Sequence, residues 1–246
     1  RGSLEQASFE FPDGDASLLQ PAAIEASPTG LRVAPVCLQT GDARLCAEGE
    51  RRSRPGSWSL IYSAQDWPLK RLLRSILGWK EFDGRLQAAG WLSQAQGQDW
   101  LGGMTLLLDD PTLEIPRNKF RSERVELGRG RLDVFAEPGE LRADLVLAMA
   151  ESTQVRGEVV ATRSPALAPV DYPLRGTVRG ESSALTAIPL FVPEIDRSDG
   201  RLDATVSIGG TLGEPRFDGE FHVRDGRFDL YRPNLMLSAV TLDGRF

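Results

Sequence analysis

The chain has 246 residues, 41% of them hydrophobic and 26% charged, with a net charge of −6. That apolar content supports either one elongated domain or two smaller ones and excludes a disordered chain. The acidic balance argues against nucleic acid as a partner, because phosphate binding needs clustered Lys and Arg, and here these alternate with Asp and Glu.

No apolar run approaches the ~18 residues of a membrane-spanning helix, and no signal peptide is visible. With Arg1 in place of an initiator Met and a final turn motif whose next strand is missing, the chain reads as a segment of a longer protein. A membrane anchor or export signal would then lie outside it.

In chain order, residues 1–35 form a weakly patterned lead-in, read as the end of a preceding β region, with a short alternating piece from Phe9 to Phe11. Cys37 and Cys46 follow, flanking a turn at Thr40-Gly41-Asp42. Alternation on both sides of that turn brings the two cysteines opposite each other on paired strands and predicts a disulfide. Two free buried thiols are the alternative reading. A zinc site lacks ligands, because the only histidine, His222, is far away in sequence. A disulfide implies an oxidising compartment such as the periplasm.

Two basic clusters, Arg51/Arg52/Arg54 and Lys70/Arg71/Arg74, read as solvated faces. A strand is predicted over 57–63. The period then changes: Asp66 suits an N-cap, Pro68 a first turn, and Leu69, Leu72, Leu73, Ile76 and Leu77 recur at helical spacing before Gly78. One short amphipathic helix is predicted over 66–77, with its apolar stripe on the sheet.

From Trp79 onward strands resume. Five Asp-Gly pairs, at 83, 199, 218, 225 and 243, are each followed by a charged residue and then Leu or Phe. Because both residues tolerate positive φ, each pair is read as a two-residue hairpin loop. The Asp-Gly-Arg-Leu motifs at 83 and 199 both follow a Pro-Leu segment, Pro68-Leu69 and Pro189-Leu190, which suggests an internal duplication. The domain reading is a lead-in (1–35), a β-groove unit with the short helix (36–183) and a truncated second repeat (184–246).

Leu141, Leu145, Leu147 and Met149 alternate with polar residues, as do Leu202, Ala204, Val206 and Ile208, and Phe217, Phe221 and Val223. This period of two gives strands with one dry and one wet side. A single helix of about 18 Å cannot cover a dozen strands, so the dry face closes on itself as a sandwich, packs on a partner, or holds an apolar ligand. Those eleven residues are the candidate site; ordinary core packing is the competing reading.

No motif for catalysis accompanies them: there is no Gly-x-Ser-x-Gly, no His-Glu-x-x-His and no phosphate-cradling loop. His222 falls on the polar side of its strand, and Asp109/Asp110 precede Pro111 as turn residues. No enzymatic activity, metal or cofactor is expected.

Gly210-Thr211-Leu212, Pro215 and the Phe217-x-Gly219-x-Phe221 strand, running into Asp225-Gly226, resemble the C-terminal region of the TamB family. The cysteine pair and the passage from Trp67-Pro68-Leu69 to Asp83-Gly84-Arg85-Leu86 resemble it as well. TamB is similar to the AsmA-like proteins. The resemblance implies an all-β fold: an elongated, curved antiparallel meander with an apolar groove, the β-taco. It also implies a periplasmic segment of an inner-membrane-anchored protein of Gram-negative bacteria. Such a segment would conduct phospholipids between inner and outer membranes and support outer-membrane protein assembly and secretion. Phospholipid acyl chains would be its ligands, a TamA-like outer-membrane protein would be its partner through the full-length protein, and outer-membrane clients are further candidates. The alternative is a scaffold that captures client β-strands without moving lipid.

Overall fold

A computed structural model describes residues 1–11, 14–54, 56–70, 82–118, 121–126, 128–149, 153–183, 185, 195–230 and 235–246. The chain is all-β and antiparallel. Its strands are β1 (Gly2–Leu4), β2 (Ser8–Phe11), β3 (Gly14–Leu18), β4 (Ala22–Ser27), β5 (Gly30–Thr40), β6 (Ala43–Arg52), β7 (Ser57–Pro68), β8 (Phe82–Ala95), β9 (Trp100–Asn118), β10 (Arg121–Glu126), β11 (Gly130–Glu137), β12 (Glu140–Met149), β13 (Thr153–Thr162), β14 (Leu174–Ser182), β15 (Ile195–Gly210), β16 (Pro215–Leu230) and β17 (Leu235–Arg245).

These strands fall into two units, residues 1–109 with 131–138, and residues 110–130 with 139–246. In the first, β4 to β8 pair in sequence order. In the second, β12 to β17 do the same. Alternating apolar and polar residues explain this order: each strand offers one dry edge-to-edge surface that its neighbour extends, and sequential antiparallel pairing needs only short loops.

The Cys37 hairpin forms as its turn signal predicts. β5 ends at Thr40, Gly41 takes φ 59° at the first loop position, and β6 starts at Ala43. Cys37 and Cys46 are register partners 4.1 Å apart at Cα and are disulfide-bonded.

The five Asp-Gly pairs, by contrast, lie inside strands and make no hairpins. Positive φ serves a bulge as well as a turn, and two of the pairs use it that way. Gly200, at φ 128°, sits at the register shift between Asp199 and Arg201. Asp225, at φ 53°, sits at the shift between Val223 and Gly226. Gly84 adopts φ 136°, and the two Asp-Gly-Arg-Leu motifs share one local geometry: the Asp83 and Asp199 carboxylates each accept the next residue's N–H at 2.8 Å. The loops fall elsewhere, at Gly97 and Gly139 among others.

The helix does not begin at Asp66. β7 continues to Pro68, with Trp67 and Pro68 paired to Leu86 and Arg85, and Asp66 (φ 51°) occupies a bulge beside Arg85. Pairing with β8 takes precedence over the capping signal. Leu69 and Lys70 turn helical, and Leu69 is buried. The remainder of the predicted helix, including Leu72, Leu73 and Ile76, lies outside the described residues.

Little of the apolar content is buried. Among the described residues the hydrophobic core is made mostly of small side chains such as Ala16, Ala22, Ala43, Ala136 and Ala161, joined by Leu69, Leu86, Leu185 and Val223. A closed sandwich would bury its inward-facing rows, and Phe217 on such a row is 55% exposed.

Candidate functional site

The second unit assembles ten of the eleven predicted side chains into in-register rows on one face, and the backbone of the eleventh, Met149, extends the series. One row runs Leu145, Gly157, Val178, Val206, Gly219 across β12 to β16. The next, Leu147, Val155, Gly180, Ala204, Phe221, Gly244, reaches β17. Leu141 pairs with Ala161, and Ile208 with Phe217; the last row runs Met149, Thr153, Ser182, Leu202, Val223, Leu242. Directly opposite residues share a face in an antiparallel pair. Two hydroxyls within this face, on Thr153 and Ser182, satisfy each other at 2.7 Å.

Burial varies along these rows. Val223 is 4% exposed, whereas Leu242, its register partner, is 50% exposed. Leu141, Leu145, Leu147, Leu202, Ala204, Val206, Ile208 and Phe221 are half-buried. The face therefore mixes dry positions, Ala161 and Val223, with open ones, Phe217 and Leu242.

Charge is confined to the reverse face. There the rows read Asp144, Glu158, Thr177, Ser207, Asp218 and Gln154, Glu181, Asp203, His222, Asp243. His222 Nδ1 lies 2.5 Å from Asp243 Oδ1, as a solvated cross-strand pair. Among the described residues no set of three His, Cys, Asp or Glu side chains could hold a metal.

The first unit repeats the apolar pattern, in residues that sequence reading did not select. Leu38, Leu45, Ala64, Ala88 form one row, Val36, Ala47, Tyr62, Gly90 the next, and Val33, Gly49, Leu60, Leu92 a third. Desolvation on this face pushes the Tyr62 phenol above its ordinary pKa. The alternation Leu60, Tyr62, Ala64 against Ser59 and Ser63 was the available signal. Exposed Ile61 on the wrong side obscured it.

Glycines within the rows were legible in part: Gly157 and Gly219 fall on the dry face by alternation, whereas Gly90, Gly180 and Gly244 were missed. Three are filled from the next strand: Tyr62 covers Gly90, Phe221 covers Gly244 and Phe246 covers Gly219, each ring occupying the space of the missing Cβ. This keeps the face continuous where the side-chain pattern lapses.

The sequence model described as TamB, N-terminal domain, matches residues 1–223. The chain belongs to the TamB family. The match corrects the assignment to the family's C-terminal region: the Gly-Thr-Leu and Gly-turn motifs that suggested it are short features of a repeating meander and do not locate a segment within the family. No curated protein and no solved structure matches the chain. TamB proteins belong to the cell envelope, and among the described residues no helix is long and apolar enough to cross a membrane.

Proposed function

We propose that this TamB-family segment is a periplasmic stretch of apolar β-sheet over which phospholipid acyl chains pass between inner and outer membranes, in support of outer-membrane protein assembly and secretion. The observation that carries this reading is the continuity of the apolar rows with partial exposure of their large side chains, Phe217 and Leu242 above all. An acyl chain laid on such a face gains ~0.8 kcal/mol per buried CH₂ without directional contacts, so it can be held and still slide. The chemistry of transport then requires no catalytic group, and the segment acts as no enzyme. A TamA-like outer-membrane partner belongs to the whole protein.

The test is extraction of the chain, purified after export to the periplasm, followed by lipid mass spectrometry. Phospholipid should co-purify with the wild type. Val206→Asp and Ile208→Asp should stay folded by circular dichroism, since water reaches the face and hydrates the new charge, yet lose that lipid. Unfolding of both variants would make these rows a closed core. Binding of client β-strand peptides by a lipid-free wild type would favour the scaffold reading instead.

A further inference from the structure

At one end of the first unit the apolar face stops in a rung of different composition. Leu31, Arg51 and Trp58 are register partners across β5, β6 and β7, so an arginine stands in line with Ala47 and Gly49. Leu31 and Trp58 are both partly exposed there, and the Trp58 indole N–H donates to Gln94 Oε1 at 3.0 Å. Ser53 donates its N–H to the Thr29 carbonyl at 2.8 Å, which holds the β4–β5 and β6–β7 turns side by side. Against these turns lies a hollow of about 300 Å³ bordered by Leu31 and Arg51 of this rung, by Arg54 in the turn, and by Arg32 and Arg52, which pair with Glu50 and Gly30 and so belong to the reverse face.

Two glutamates share that border, Glu25 and Glu50, and each already has a cation: Arg1 at 3.4 Å and Arg52 at 2.9 Å. Among the described residues no carboxylate lies within ion-pair distance of Arg32, Arg51 or Arg54. In a chain of net charge −6, Arg51 and Arg54 are guanidinium groups without a carboxylate where the apolar surface ends, with Arg32 behind them on the reverse face. A guanidinium fork matches phosphate oxygens, and an indole with one wet edge suits the boundary between headgroup and chain.

We propose that this end of the sheet is a headgroup site that holds the phosphate of a single phospholipid at Arg51 and Arg54, while its acyl chain lies over Leu31, Trp58 and the rows beyond. The proposal rests on the acyl-chain reading above and adds a selectivity to it. A free anion would make no use of Leu31 and Trp58, and an uncharged lipid would make none of the arginines.

The test compares two probes of equal chain length on the 246-residue chain by calorimetry: 1-myristoyl lysophosphatidylglycerol below its micelle concentration, and 1-monomyristoylglycerol. The phosphate-bearing probe should bind more tightly, and its advantage should shrink as salt is raised. R51Q/R54Q should weaken that probe by roughly tenfold and leave the uncharged one unchanged. R175Q/R179Q, which removes the same charge from the wet face of the second unit, should alter neither. Equal binding of the two probes by the wild type would overturn the headgroup site while the acyl-chain reading stood. Binding of neither would overturn both. Equal loss in the two double variants would make the effect one of bulk charge, and inorganic phosphate binding as tightly as the lipid would make the site one for free anions; each refutes the proposal.

Discussion

The ring of Phe221 lies over Gly244, its register partner on the adjacent strand, in the space that a Cβ on that glycine would fill. The two residues form one unit of surface: the strand without a side chain is roofed by the strand with a large one. Gly244→Val should displace the ring and cost about 1–3 kcal/mol. The loss should appear as a lower urea midpoint with an unchanged m-value. A neutral substitution would show that the ring has other places to lie.

Burial on this face should decide what a truncation does. Val223, at 4% exposure, should lose about 1.5–3 kcal/mol on Val223→Ala. Phe217, on the same face but 55% exposed, should change stability by only about 0.5 kcal/mol on Phe217→Ser. The lipid co-purifying with Phe217→Ser should nevertheless fall. Equal destabilisation by the two substitutions would mean that both rows are core.

Disulfide formation should matter for stability. Cys37 and Cys46 are nine positions apart in sequence, and closing a loop of that size removes about 2–3 kcal/mol of unfolded-state entropy. Cys37→Ser with Cys46→Ser should lose that amount, and thiol labelling of the exported, denatured wild type without reductant should find no free thiol. Two labelled cysteines would refute the bridge.

Acid should weaken one corner of the first unit. Asp133 accepts from Arg131 Nε at 2.6 Å and Nη2 at 3.0 Å, and from the Thr105 hydroxyl at 2.6 Å. The Arg131 hydrogen bonds hold its carboxyl below the usual value of 3.8, outweighing the opposing effect of burial. A carboxylate whose folded pKa is depressed contributes stability fully above its unfolded pKa and loses it as pH falls through the folded one. Asp133→Asn should therefore reduce stability at neutral pH and flatten the dependence of stability on pH below about 4. An unchanged acid limb would assign that dependence to other carboxylates.

Much of this fold is legible in the amino-acid sequence. Alternation of Leu, Ala, Val and Ile at 202–208 and of Leu at 141–147 assigns strands and even faces, because a period of two has only one geometric meaning. Thr40-Gly41-Asp42 between equally spaced cysteines fixes a hairpin and its bridge for the same local reason. The Asp-Gly pairs, read as turns for their positive φ, and Asp66, read as an N-cap, misled because each is a local signal that a partner strand can override. Positive φ is a property of one residue, and whether it ends a strand or bulges it depends on whether a partner strand continues past it. For Asp199-Gly200 and Asp225-Gly226, β15 and β16 continue on each other. For Asp66, β8 does so.

Sequence by itself determined most of the strands and their two-sidedness and predicted the covalent bridge, since each is set by neighbours within a few residues. Tertiary structure alone decided that Gly90, Gly180 and Gly244 belong to the apolar face, that Phe221 and Phe246 fill the gaps at Gly244 and Gly219, and that Arg51 stands in one rung with Leu31 and Trp58. Register between strands distant in sequence is set by side chains packing across the sheet, and no single strand carries that information.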